Sequence, residues 1–477
     1  MSNSEGEKPR QRDRDRPFVF LEFCKGCGRC IDSCAKHCIH EGHAIHSATG
    51  LVPVEMDLAG CNECGLCFSA CPEPWGMVAE GTDSPLAEPA HEFTPQVQER
   101  PIPERIPDER LPLADARPLV TKGAYAAAIG ALCAGCRHFF GYPITPSTEG
   151  AELMAKLLPR VDGHFLQAVS EVATVNMMYG CGGAGLRSMT FTSSPGFSLM
   201  LEGISYMIGS EVPGVFIDVM RGGPGLGNIG PEQGDIKLAC RGLGHGNTHA
   251  IVLAPSTPQE MLDFTMDAFE LSFHYRNPVI VLADGYLGQM TGRVTLPKTM
   301  VKPGLPPWAV NGRASHRGNL INSIILDEKD LEAHNQYLDQ KYLAMQKEQR
   351  ADLYRCDDAD VLILACNTPA RMAKGAVGEL RQQGISAGLF RPQTLWPFPI
   401  EALQPLLPKI DRIVVVEASS GQLEDEMRLA LSHAGVMAPR IDHVRHAGGV
   451  LPSQAEVVAR VAGARKSISG TAQQVIS

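Results

Sequence analysis

Nine of the chain's 15 cysteines fall between Cys24 and Cys71, and eight of them repeat one spacing. Cys24, Cys27, Cys30 and Cys34 form C-x2-C-x2-C-x3-C; Cys61, Cys64, Cys67 and Cys71 form it again, with Pro72 after the last. A four-iron cubane needs four thiolates on a tightly turning backbone, which three closely spaced cysteines and a distant one provide. Where two such runs share one small unit, the fourth cysteine of each crosses to the other cluster. The expected ligand sets are therefore Cys24, Cys27, Cys30 and Cys71 for one [4Fe–4S] cluster, and Cys61, Cys64, Cys67 and Cys34 for the second. Two zinc sites would explain the C-x2-C pairs but not a third cysteine in each run. Ala35 stands where proline usually follows, and Cys38, beside His37, is close enough to compete as a ligand, although a small buried thiol is the expectation there. Cys133, Cys136, Cys181, Cys240, Cys356 and Cys366 are scattered. Cys133 and Cys136 make a C-x2-C with no second pair nearby and read as structural thiols.

A second group lies at the ends of apolar runs in the middle of the chain: Thr145 and Ser147, Glu171, Ser193 and Ser194, and Arg221. In an open parallel sheet, ligands sit beyond the carboxyl ends of the strands. Hydroxyls, a carboxylate and a guanidinium on one rim suit a small anionic substrate, with Arg221 clamping a carboxylate. Each also has a plainer reading. A glutamate in the first turn of a helix favours its dipole, and Arg221 is compatible with an ordinary surface charge.

The elements that must carry these residues alternate. A helix near 123–135 leads to the strand CRHFFGYP, the turn ITPST and a helix from about Ser147. HFLQAV precedes a helix opened by Ser170, RSMTFTSS one near Pro195, and GVFIDVM runs into the glycine-rich loop RGGPGLGNIGPEQGD. After HAIVLAPS, Thr257, Pro258 and Glu260 spell a capping box, and NPVIVLADG follows. Continuous apolar strands between amphipathic helices mean a doubly wound parallel sheet covered on both faces. A loop-rich stretch from Thr291 and a polar helix over 327–350 then lead to a smaller α/β unit with strands DVLILAC, ISAGLFRP and DRIVVVEA; the last residues, KSISGTAQQVIS, show no pattern. The loop GLGNIG satisfies G-x-G-x-x-G, but prolines flank it and no helix opens from it, so the dinucleotide context fails.

Length and composition bound the rest. At 477 residues, about three domains are expected. With 43 basic and 53 acidic residues the net charge is −10, which does not favour nucleic acid as a partner. The N-terminal run is charged and has no apolar segment like a signal peptide, and Phe197 to Met220 is too interrupted by charge for a membrane span. A cytoplasmic location with reduced thiols is the expectation.

These motifs resemble those of the 2-oxoacid:ferredoxin oxidoreductases, specifically their alpha subunit, over residues 18 to about 463. The resemblance rests on GYPITPSTEG, SEVAT, TFTSSPGFSLM, MRGGPGLGNIGPEQGD, YRNPVIVLADGYLGQM, RPQTLWPFP and VVEASSGQL. The cysteine unit resembles their delta, ferredoxin-like subunit. Charge pattern and composition give a disordered tail over 1–17 and a Pro/Glu-rich linker over 78–118, and between them the resemblance implies a bacterial-type two-[4Fe–4S] ferredoxin domain over 18–77. A transketolase-like pyrimidine-binding α/β domain over 119–290 would follow, then a connecting loop and long helix over 291–355 and a transketolase C-terminal-like α/β domain over 356–464. By the same resemblance, Thr145 hydrogen-bonds the 2-oxoacid, Arg221 holds its carboxylate, and Glu171 contacts N1′ of thiamine diphosphate, with Ser193 and Ser194 also at the cofactor.

No GDG occurs in the chain, although related enzymes use one to hold the diphosphate and magnesium. That half of the cofactor site is expected from a beta subunit, with a gamma subunit or domain and an external ferredoxin or other redox subunit as further partners. The implied reaction joins a 2-oxoacid and CoA to give acyl-CoA and carbon dioxide, with electrons leaving through the two clusters. A branched-chain or other apolar 2-oxoacid fits the loop MRGGPGLGNI and the GHGN that follows. A 2-oxoglutarate or aryl substrate stays open, since a second carboxylate would want a further cation such as His245 or Arg241. A subunit used only for electron transfer or as a scaffold is the rival; the joint presence of Thr145, Glu171 and Arg221 speaks against it.

Overall fold

The computed structural model describes residues 15–84, 106–113 and 116–473. The tail expected over 1–17 and the linker expected over 78–118 therefore lie largely outside the described residues. The chain forms two compact units, within residues 1–96 and 97–477.

In the first unit the two cysteine runs build the same piece twice. Gly28 and Gly65 hold the left-handed conformation, φ 75° and 78°, and each opens one short helix, Arg29–Ser33 and Leu66–Ala70. That turn folds each run back on itself, as a cluster requires. Pro17–Val19 pairs antiparallel with Met77–Ala79, and Ile39–His40 with Glu55–Met56. The first pairing carries the unit two residues past the boundary expected at 77. Its core is small: Val19, Cys30, Ile39, Val54, Cys67 and Met77. So little apolar burial leaves the unit dependent on whatever the cysteines bind.

The second unit holds two sheets. The larger has the order Thr394–Trp396, Ile251–Leu253, Pro278–Asp284, Gly214–Met220, Ser188–Thr192, His138–Gly141, His164–Gln167. All its pairings are parallel except that of Thr394–Trp396. Gly214–Met220 and Pro278–Asp284 are buried along their whole length, as their mostly apolar sequences require. From His138–Gly141 the chain moves to one neighbour, His164–Gln167, and then returns across it to the other, Ser188–Thr192. The loops after these strands diverge at that switch and leave a crevice at their carboxyl ends.

The smaller sheet has the order Ala351–Tyr354, Ala387–Pro392, Val361–Leu364, Arg412–Glu417, Arg440–Arg445, with Ala351–Tyr354 at one edge and antiparallel to Ala387–Pro392. It begins five residues before the expected boundary at 356. One of its connections, the motif RPQTLWPFP, supplies Thr394–Trp396 and so completes the edge of the larger sheet.

The connecting regions are more ordered than their composition suggests. Leu119–Lys122 pairs with Thr291–Val294, and Glu109–Pro112, inside the expected linker, pairs with Thr299–Lys302. Asp108 fixes that strap by an ion pair of 2.6 Å to the buried Arg187. Thr257 caps its helix as expected, accepting from the Glu260 amide at 3.1 Å. Glu260 departs from the box by reaching back to the amide of Ser256 at 2.7 Å, where it also meets Arg391. The polar helix spans Glu328–Met345, and the final helix runs through the patternless tail to Gln473. No helix among the described residues is long and apolar enough to cross a membrane.

Candidate functional site

Two cavities open in the first unit. Cys24, Cys27, Cys30 and Cys71 line one of about 20 Å³, together with Pro72. Cys34, Cys61, Cys64 and Cys67 line another of about 140 Å³, together with Cys38. The fourth cysteine of each run thus lies with the first three of the other. Backbone amides already point at sulfur: Val54 N–H donates to Cys24 Sγ at 3.4 Å, Cys38 N–H to Cys34 Sγ at 3.3 Å and Glu63 N–H to Cys61 Sγ at 3.4 Å. Hydrogen bonds of this kind stabilise thiolate ligands and tune cluster potentials. These rings of soft sulfur donors fit iron–sulfur clusters.

In the second unit the crevice holds a cavity of about 600 Å³. Its floor is the start of the glycine-rich loop, Arg221 to Leu226, and its walls include Ser194, Glu232 and Asp235, with Ser420, Gln422 and Ala447 from the second α/β domain. Gly225 and Gly227 have φ of 96° and 108°, a conformation that side chains with a Cβ rarely adopt. Such a loop would splay without anchors. Gly222 N–H donates to Gly230 O at 2.8 Å and Gly223 N–H to Glu232 Oε2 at 2.8 Å. Asn228 reaches Gly448 O at 2.9 Å, and Gln422 donates to Gly234 O at 2.6 Å. Gln233 is wholly buried; it exchanges hydrogen bonds with Ala418 and donates to Asn367 Oδ1 at 3.0 Å. The loop therefore takes its shape from the second domain as much as from its own sequence.

Arg221 is buried, and its guanidinium donates to the Thr145 carbonyl at 2.7 Å, which brings these two expected residues together. Among the described residues the Arg221 Nε has no partner, and Arg221 is the one cation lining the cavity. Ser194 Oγ accepts from the Arg221 amide at 3.1 Å and donates to Asp235. Ser193 does not face the cavity; its hydroxyl is held by the Val219 carbonyl at 2.8 Å. Ser147 is likewise turned inward, bonded to Ile144 O at 2.7 Å.

Glu171 follows the cap at Ser170, whose hydroxyl accepts from Ala173 N–H at 3.2 Å. Glu171 is 5% exposed. It lies against Gly196, where a Cβ would fall 2.6 Å from its Oε1 and 2.4 Å from the buried, unpartnered Thr192 Oγ1. A mostly buried carboxylate gains from a donor supplied by a bound group. It fits a protonated ring nitrogen of a bound cofactor.

Neither His245 nor Arg241 reaches the cavity. Arg241 is bound to the buried Glu426 at 2.9 Å, and His245 packs against Ser205 and Tyr206. The sequence reading also missed Asp218 and Gln233. The signal for Asp218 was a single acid in an otherwise apolar central strand.

Residues 129–365 match the model of the pyruvate flavodoxin/ferredoxin oxidoreductase thiamine-diphosphate-binding domain, and residues 359–457 that of pyruvate:ferredoxin oxidoreductase core domain II. The ketoisovalerate oxidoreductase subunit VorB of Methanothermobacter thermautotrophicus is 48% identical over 314 residues, 65% of this chain and 89% of that relative. The chain belongs to the 2-oxoacid:ferredoxin oxidoreductase family. This oxidoreductase subunit is also 38% identical to the 2-oxoglutarate synthase subunit KorA of Archaeoglobus fulgidus over 312 residues, 64% of the chain and 89% of the relative. A solved 2-oxoglutarate:ferredoxin oxidoreductase from Magnetococcus marinus, with 2-oxoglutarate, coenzyme A and succinyl-CoA bound, superposes with a TM-score of 0.65 at 27% identity. It covers 72% of this chain, and the chain spans 65% of that one's length. The oxidoreductase subunit thus pairs a cysteine-rich unit with an α/β unit.

Proposed function

We propose that the chain is the fused ferredoxin–alpha subunit of an enzyme that converts a 2-oxoacid and CoA to acyl-CoA and carbon dioxide. Two [4Fe–4S] clusters, held by Cys24, Cys27, Cys30 and Cys71 and by Cys61, Cys64, Cys67 and Cys34, would pass single electrons to an external ferredoxin or another redox subunit. A beta subunit would supply the diphosphate and magnesium half of the thiamine site, with a gamma subunit or domain as a further partner.

Thiamine diphosphate, when bound, supplies the nucleophilic carbon and the electron sink for decarboxylation. Glu171 would hold a proton at N1′ of its pyrimidine ring. Arg221 would bind the substrate carboxylate, with its own orientation set by the Thr145 carbonyl. The Thr145 hydroxyl would orient the substrate from the same turn. Arg221 carries this reading: among the described residues it is a buried guanidinium with an unused Nε, and the one cation on the cavity.

The same cavity supports a branched-chain or otherwise apolar 2-oxoacid. Glu232 and Asp235 share its wall with Arg221, so a second substrate carboxylate would meet like charge and no further cation. The 48% identity to a ketoisovalerate oxidoreductase subunit, against 38% to a 2-oxoglutarate synthase subunit, points the same way.

The test is anaerobic purification of the chain alone and with its beta partner, followed by a panel of 2-oxoacids with CoA while cluster bleaching is watched. Isolated chain should show iron–sulfur absorbance and no turnover, and the complex should prefer apolar 2-oxoacids. Turnover by the chain alone, or preference for 2-oxoglutarate, would overturn the respective part.

A further inference from the structure

Asp218 sits in the strand Gly214–Met220, three residues before Arg221, with no exposed surface at all. Neither of its carboxyl oxygens meets an N–H, a hydroxyl or a cation. What it faces, within hydrogen-bond reach, is the carboxyl group of Asp235. Two ionised carboxylates in contact, away from water and without a cation, repel strongly, so the pair holds one proton between them.

The proton belongs on Asp218. Asp235 lines the cavity and already receives the Ser194 hydroxyl, which favours its charged form, whereas Asp218 has no other donor. Burial, and after it the Asp235 charge, push the Asp218 carboxyl well above the ordinary range. The charged and titratable groups around the pair are Glu232 on the glycine-rich loop and Arg221 at the strand end. The helix Ser194–Gly209 offers only the Ser194 hydroxyl, and Asp284, on the neighbouring strand, is engaged by Thr368 at 2.8 Å. With Asp218 protonated a continuous chain results: Asp218 faces Asp235, Ser194 donates to Asp235, and the Arg221 amide donates to Ser194 at 3.1 Å.

We propose that Asp218 is a positioning residue, a buried carboxylic acid that fixes Asp235 and, through Ser194, the backbone of Arg221, and so sets the aim of the substrate-binding guanidinium. The proposal rests on the reading that Arg221 binds the 2-oxoacid carboxylate. Because the device depends on a shared proton, it loosens as that proton is lost at alkaline pH, and the effect falls on substrate binding.

The experiment uses the complex of the full chain with its beta partner. KM and kcat for an apolar 2-oxoacid are measured from neutral to alkaline pH for wild type, Asp218→Asn, Asp218→Leu and Arg221→Lys. Asp218→Leu should raise KM about tenfold with kcat within about threefold, the scale of a lost hydrogen bond to a charged group. Asp218→Asn keeps a donor that cannot titrate; it should hold KM within about threefold of wild type and abolish the alkaline rise in KM. If Asp218→Leu fails to fold, as read by iron content and circular dichroism, the pH profile of Asp218→Asn decides alone. An alkaline limb retained in Asp218→Asn, or absent from wild type, overturns the proposal. Should Arg221→Lys leave KM unchanged, the reading of Arg221 itself falls; should it raise KM while both Asp218 variants match wild type, only the positioning role falls.

Discussion

The crossover of cysteines between the two cavities can be tested by pairing lesions. If Cys24, Cys27, Cys30 and Cys71 surround one cluster, then Cys24→Ala and Cys71→Ala together damage a single cluster, and iron should fall from about eight to about four per chain. Cys24→Ala with Cys34→Ala damages both clusters, and iron should approach zero. Ligation by each consecutive run would reverse the two results, because Cys24 and Cys34 would then share a cluster. Cys38 must be removed first. It lines the larger cavity with Cys34, Cys61, Cys64 and Cys67, and a fifth thiol there can stand in for a missing ligand. In a Cys38→Ala background, iron and acid-labile sulfide are counted after anaerobic purification, and the reduced proteins are compared by electron paramagnetic resonance. The apolar core of this unit is six side chains, so the surviving cluster must carry much of its stability, and the count is best taken at low temperature. About four irons in the Cys24/Cys34 variant with none in the Cys24/Cys71 variant would refute the crossover.

Two more outcomes follow from the α/β unit. Glu171→Gln should lower turnover of the complex by at least about a hundredfold, the scale of a lost proton-transfer partner, while iron content and visible absorbance stay unchanged; undiminished turnover would favour a subunit that only carries electrons. Asp218 has its pKa raised by burial and by Asp235, so the folded chain keeps a proton that the unfolded chain releases above about 3.8. Stability relative to Asp218→Asn should therefore fall by about 1.4 kcal/mol for each pH unit above that value, until Asp218 ionises in the folded state. Thermal midpoints of the two proteins across acidic pH should diverge as pH rises, and a constant gap would contradict a protonated Asp218.

Much of this was legible in the sequence because its signals are local. The cysteine runs fold each onto its own Gly28 or Gly65 turn, so spacing alone predicts which sulfurs share a segment. The buried strands Gly214–Met220 and Pro278–Asp284 announce themselves as apolar runs, broken in the first only by Asp218 and ended in the second by Asp284, and Ser170 and Thr257 cap helices where their patterns place them. What was hidden depends on distant partners. Nothing near Thr394–Trp396 says that it will join another domain's sheet beside Ile251–Leu253. Glu109–Pro112 lies in a stretch whose prolines and charges read as linker, yet it pairs with a strand almost two hundred residues on. Ser193 and Ser194 are adjacent serines in one motif, and only the fold shows that one hydroxyl is spent on Val219 and the other on Arg221 and Asp235.

The division of labour proposed for the active site has a physical footprint on this chain. Glu171 and Arg221 are both buried, and the Arg221 Nε is a polar atom that the described residues leave unused, an arrangement that costs stability and is retained where a ligand repays it. Around them the same strand ends expose apolar side chains: Val169 and Val172 flank Glu171, and Leu226 and Ile229 rise from the loop beyond Arg221, with Val169 and Leu226 almost fully open to solvent. A polar group short of a partner beside apolar groups short of cover describes one face of an interface whose other face is elsewhere. A beta subunit bearing the diphosphate half of the site would satisfy both deficits at once. It would shut water away from Glu171 and Arg221 as it docks, so that the cavity becomes a dry pocket only in the assembled enzyme. On this view the inactivity expected of the chain alone would be a property of its surface as well as of the absent diphosphate site.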